Sequence, residues 1–151
     1  MVNKITLLYI FLISIGLFFA YTYYKGSKQR TLIQAISSQL EENQWKQIDF
    51  SKIQDVTFDR VCFLEAYSSN EIAWSTLGFE WDVEGKTSIN DNDGLTAIVF
   101  IQDNTVTGYC EYPLPLDDFF IPISMCIKKE SPILRAKKSN NYPHVWDKNK
   151  G

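Results

Sequence analysis

The chain has 151 residues, 18 acids against 15 bases, and is 45% hydrophobic and 15% aromatic. Its charge is segregated: residues 1–40 hold four bases and no acid, 41–118 sixteen acids and four bases, 119–151 seven bases and two acids. An acidic body repels phosphodiester backbones, which argues against nucleic acid; it serves solubility and would also draw in a basic protein partner.

From Ile5 to Tyr24 the sequence ITLLYIFLISIGLFFAYTYY carries no charge, no proline and one glycine. Twenty helical residues rise about 30 Å, the thickness of a bilayer's hydrocarbon core. Tyr21, Tyr23 and Tyr24, then Lys25, Lys28 and Arg30, form the aromatic and basic belt of a membrane exit. Residues 1–24 are therefore read as an N-terminal membrane anchor with a single span over about 5–24. A cleaved signal peptide is the rival. Cleavage after Ala20 would place Phe18 at −3, and cleavage after Gly16 would leave an apolar run on the mature end. The uncleaved anchor fits better, and no cysteine precedes Cys62 to accept a lipid.

The side of the membrane stays open at this point. Three bases after the span against Lys4 before it favour a cytoplasmic domain. A first hydrophobic segment also commonly acts as an export signal. Cys62, Cys110 and Cys126 permit either one disulfide and a free thiol or three reduced thiols.

Residues 25–43 place Leu32, Ile33, Ile36 and Leu40 at helical spacing. They predict a juxtamembrane helix that continues the span or packs an apolar stripe onto the domain. A linker is expected over 43–55, within a soluble α+β domain of 44–136. Asp59–Tyr67 (DRVCFLEAY) reads as a central strand. Ser68 followed by Glu71 reads as a capping box opening a helix over Ile72–Leu77, ended by Gly78. Residues 79–94 read as loop.

Leu95–Ile101 and Thr105–Glu111 form a hairpin joined by Gln102-Asp103-Asn104, with Pro113 and Pro115 stopping its second strand. A strand follows over Ile123–Ile127, and Ser131-Pro132 reads as a helix start. Residues 137–151, with Lys137, Lys138, Lys148 and Lys150, form a basic tail expected to be flexible and solvated. The order β-α-β-β-β-α implies an antiparallel sheet with one or two helices on one face.

No catalytic constellation emerges. The only histidine, His144, lies in the tail, where no neighbour would orient it. Without a second histidine there is no HExxH or histidine-pair zinc site, and the cysteines lack CxxC spacing. Aligning Gly94 with a calcium-loop glycine puts Ile89 and Phe100 at ligand positions, so Asn90–Gly94 is an ordinary turn. Glu80, Asp82 and Glu84 alternate with Trp81 and Val83 as along a strand or loop edge, and Trp74 and Trp81 are expected in the core. No cofactor and no small-molecule substrate are implied.

Three blocks carry a resemblance: Asp59-Arg60-Val61-Cys62-Phe63-Leu64 with Tyr67-Ser68-x-Asn70-Glu71, Leu77-Gly78-Phe79-x-Trp81, and Asn92-Asp93-Gly94 before an apolar strand. Together they resemble short bacterial envelope proteins, many of them lipoproteins or membrane-anchored. The likeness spans Asp59–Cys126, about half of the residues beyond the anchor, and brings no catalytic residues. It implies a disulfide between Cys62 and Cys126, a free Cys110, and a periplasmic domain on the inner membrane. The chain departs from the lipoprotein members in lacking a lipid-accepting cysteine.

Two roles are then expected. The first is a non-enzymatic binding module whose partner is a basic toxin or a secretion component. Immunity proteins against antibacterial toxins share this size and tether. The alternative is a small accessory subunit that acts mainly through its transmembrane helix.

Overall fold

One unbroken helix, α1, runs from Lys4 to Glu42 in this computed structural model, which describes residues 4–44, 46–113 and 124–135. Its two halves meet different surroundings. Leu7 through Phe19 present exposed apolar side chains, and none of the most apolar stretch is buried. The helix is long and apolar enough to cross a membrane. Beyond Tyr24, Leu32, Ile36 and Leu40 recur every fourth residue and are completely buried. The juxtamembrane segment thus both continues the first helix and packs an apolar stripe onto the domain.

A four-stranded antiparallel sheet receives that stripe. Its strands are β2 (Arg60–Leu64), β3 (Thr96–Gln102), β4 (Thr105–Tyr112) and β5 (Cys126–Lys128), in the order β4-β3-β2-β5. Val61, Phe63, Ile98, Phe100, Cys110 and Tyr112 face α1. Cys62, Leu64, Ala97, Val99 and Ile101 face the opposite way, onto α2 (Asn70–Leu77) and the single turn α3 (Val83–Lys86). Helices therefore cover both faces of the sheet, not one. The reason is visible in β2 and β3, which are nearly continuous apolar runs with both faces buried.

The expected linker is structured. Residues Gln47–Asp49 form β1, and Phe50–Lys52 form a turn of 3-10 helix. Ile48 and Phe50 are fully buried, and the Phe50 ring meets Phe63 and Phe100 edge-on at centroid distances of 5.7 and 6.0 Å. Strand β1 pairs with β6 (Ile133–Arg135), so Ser131-Pro132 leads into a strand instead of a helix. Leu134 turns inward between exposed Ile133 and Arg135, and the Pro132 carbonyl accepts the Phe50 N–H at 3.1 Å. Pairing with a distant strand overrides the local preference of proline for a helix start.

Local signals elsewhere hold with small shifts. Asp103 and Asn104 both have positive φ (49° and 56°), the two-residue hairpin turn whose twist suits antiparallel strands. Gln102 belongs to β3, paired with Thr105. The helix cap is Ser69, not Ser68: its side chain accepts the Ile72 N–H, while Ser68 is buried. Gly78 ends α2 at φ 81°, where a side chain would be strained. Asp82 accepts the Gly85 N–H at 3.0 Å, so the alternating acids start a helical turn instead of edging a strand. The tail 137–151 with His144, as well as Pro115 and Ile123, lies outside the described residues.

Cys62 and Cys126 are joined by a disulfide that links β2 to β5. The flanking bonds, Phe63 N–H to the Met125 carbonyl and Lys129 N–H to the Asp59 carbonyl, make this a non-hydrogen-bonded pair. Such pairs bring opposed Cα atoms closest, here to 4.0 Å. Cys110 is free and buried, and desolvation, with a smaller push from Glu111, raises its pKa to about 12.

The shared helix makes truncation informative. Removing residues 1–24 should leave a domain that unfolds cooperatively. Removal through Glu42 takes away Leu32, Ile36 and Leu40 and should abolish that transition. In the full chain, Ile36→Ala should cost about 2–5 kcal/mol in a denaturant melt, whereas Ile13→Ala on the exposed half should cost nothing measurable. Alkylation of denatured protein should label one thiol before reduction and three after it. Reduction should lower stability by about 4 kcal/mol if loop-closure entropy dominates.

Candidate functional site

Two hydrogen bonds orient the domain on its helix. The Lys28 ammonium donates to the Thr107 carbonyl at 2.6 Å, and the Ser37 and Tyr112 hydroxyls meet at 2.9 Å. Strand β4 thus runs along α1 away from the exposed apolar half, β2 runs the same way, and β3 and β5 run back. The near end of the domain therefore holds Arg60, the Asp103-Asn104 turn, Lys128 and Lys129. The far end holds Glu65–Tyr67, the start of α2, the Asn90–Gly94 turn and the end of α1.

At the near end, Asp59 and Arg60 tie three elements together. Arg60 donates to Asn104 Oδ1 at 2.8 Å and to the Leu77 carbonyl at 3.1 Å, where α2 ends. Asp59 pairs with Arg60 at 3.3 Å and accepts the Asp103 N–H at 2.7 Å. A guanidinium suits a helix C-terminus because the unpaired carbonyls there carry partial negative charge. This part of the sequence motif is structural.

Beside it lies a groove of about 260 Å³ between α1 and β4. Tyr21, Tyr24, Lys28 and Gln29 line one wall, at the spacing of one helical face, and Val106 to Tyr109 line the other. Trp81 and Lys86 close it. The Trp81 ring stands edge-on to Tyr109 at 5.3 Å, and the Tyr109 hydroxyl donates to the Lys86 carbonyl at 3.2 Å. Gly108 lets the helix approach: a Cβ there would lie 3.0 Å from Val56 and 3.4 Å from Leu32.

The far end is acidic. Glu41, Glu42, Glu71, Asp91 and Asp93 are exposed there, with Glu65 and Glu111 half-buried. Tyr67 lies at the same end, 62% exposed and with φ at +63°, a region tyrosine seldom occupies. Its N–H donates to the Ile89 carbonyl at 2.6 Å, which holds this backbone in place. Exposed Ile72 follows on the first turn of α2.

The residues weighed from sequence fall into place as follows. Trp81 is in the core cluster, but Trp74 is 41% exposed and donates its indole N–H to the Trp81 carbonyl at 3.1 Å. Asp82 and Glu84 do not converge on a cleft; both are engaged at Asn70, which caps the Glu84 N–H in return. Among the described residues, no three histidine, cysteine or acidic side chains are grouped to hold a metal. Burial first, with smaller charge contributions from Cys110 and Glu41, raises the pKa of Tyr112 against the lowering effect of its Ser37 bond. The groove and Tyr67 escaped sequence reasoning: one needs the register of α1 against β4, the other a backbone angle. No protein-family model, no curated protein and no solved structure matches the chain.

Proposed function

We propose that this chain is a single-pass inner-membrane protein whose α+β domain stands in the periplasm and binds a basic protein partner at its far, acidic end. The observation that carries this reading is Tyr67, exposed in a strained backbone conformation at the same end of the domain as exposed Glu71, Asp91 and Asp93. A rigid aromatic surrounded by charge is a binding anchor that loses little side-chain entropy on contact. The acids speed encounter with a positive surface. The Cys62–Cys126 disulfide supports an oxidising compartment. The role asks for no bond-making chemistry, and the buried, protonated Cys110 is not a nucleophile.

The partner class that fits best is a basic antibacterial toxin that acts in the envelope, with this chain as its immunity protein. A second reading, an accessory subunit acting through its membrane helix, draws on the unbroken passage of α1 from apolar half to core.

A strain lacking the gene should lose to its parent in contact-dependent competition, and the intact gene should restore it. Glu71→Lys and Tyr67→Ala should accumulate normally yet fail to restore it. Equal fitness of the deletion strain would reject the immunity role. Replacing residues 5–24 by an unrelated span should preserve protection, and its loss would favour the accessory-subunit reading. A C-terminal tag should be digested from outside in spheroplasts; protection of the tag would place the domain in the cytoplasm.

A further inference from the structure

We infer that the groove between α1 and β4 is a binding site for the phosphate headgroup of an anionic phospholipid in the leaflet on the domain's side. This rests on the reading of α1 as a membrane span.

Three observations converge. The first is position. Tyr21 and Tyr24 close the apolar half of α1 and also form one wall of the groove, so the cavity opens at headgroup level, where aromatic side chains settle. The second is charge. The segment 41–118 carries sixteen acids and four bases, yet the groove is lined by Lys28 and Lys86 and by no acid. Among the described residues neither lysine has a carboxylate within 4 Å, and the only ion pair joins Asp59 and Arg60. The carboxylates next to Lys86 in sequence, Asp82 and Glu84, are both held at Asn70.

The third is hydrogen-bonding capacity. Lys28 spends one of its three donors on Thr107, which fixes its stem against β4 and leaves two donors beside the cavity. The Lys86 ammonium has no protein partner at all among the described residues. Two ammonium groups rimmed by Tyr21, Tyr24 and Trp81 suit a phosphodiester whose acyl chains lie along the apolar half of α1. A zwitterionic headgroup brings its own cation and gains less from two lysines.

The test uses full-length protein and vesicles of phosphatidylcholine with or without phosphatidylglycerol. Alkaline flotation first asks whether the chain is embedded. Native mass spectrometry from mixed micelles then counts the lipids that remain bound. The expected result is retention of one phosphatidylglycerol in preference to phosphatidylcholine. Lys86→Gln and Lys28→Gln should each weaken that preference roughly fivefold. Glutamine at 28 keeps a donor for the Thr107 carbonyl, and the exposed Lys86 ammonium makes no hydrogen bond or ion pair among the described residues, so both variants should fold. Lys46→Gln, the same charge change beyond the far end of α1, should have no effect. Equal loss in Lys46→Gln, or no anionic preference in protein that floats, would overturn the site while the span reading stands. Protein that fails to float would overturn both.

Discussion

The structure depends on one sharing arrangement: the helix that would enter a membrane is the same helix that completes the core. Leu32, Ile36 and Leu40 bury their side chains entirely against the sheet, together with Ile48, Phe50, Phe63 and Phe100. Fully burying each such side chain contributes about 1.5–3 kcal/mol. A domain of this size therefore needs the stripe. No break separates it from the exposed apolar half, so one continuous helix joins that half to the core. Helix α1 contains no proline, and its Gly26-Ser27 step, a pair at which helices can kink, stays helical. Gly108 sets how closely strand and helix approach, and Lys28 and Ser37 fix the register between them.

The rest of the fold follows from having α1 on one face of the sheet. Strands β2 and β3 must then be apolar over Val61–Leu64 and Ala97–Ile101, since α2, α3 and Trp81 cover the other face. Shutting the sheet between two layers also explains the inert Cys110: a thiolate there would be charged and desolvated, so the proton stays. Strand β5 has only three residues, a weak edge by backbone pairing alone. Its cross-link to β2 through Cys62 and Cys126 supplies the missing constraint.

Much of this was legible in the residues. The hairpin and its turn, the central strand and the glycine stop of α2 rest on local chemistry: Asp-Asn tolerance of positive φ, an apolar run, an achiral cap. The spacing of Leu32, Ile36 and Leu40 was equally plain. The misreadings share a cause. The segment 43–55 looks polar because its structure depends on three buried residues, Ile48, Phe50 and Ile53, and on pairing with β6 across the domain. Ser131-Pro132 misled for the same reason, since a ladder with a distant strand outweighs a one-residue preference. The single helical turn at Asp82–Lys86 is too short to leave a periodic signal. The groove was invisible because its walls are α1 and a β4 strand some eighty residues later, and only their register brings Lys28 near Lys86.

The polarity of the domain along α1 ties the two proposed surfaces together. If Tyr24 marks the membrane boundary, Glu41 stands about 25 Å farther along the helix at 1.5 Å per residue. That is about three Debye lengths at physiological ionic strength, so repulsion between the far-end acids and anionic lipids is almost wholly screened. The same acids placed beside Tyr24 would push the domain off the bilayer and oppose the lysines of the groove. Segregation would remove the conflict: in the proposed placement Lys28 and Lys86 would face the headgroups, and the far-end acids would face whatever approaches from outside. The continuous helix would preserve that division. A flexible linker would let the acidic end tumble toward the surface and would average the two ends, losing both the headgroup contact and the outward presentation of Tyr67.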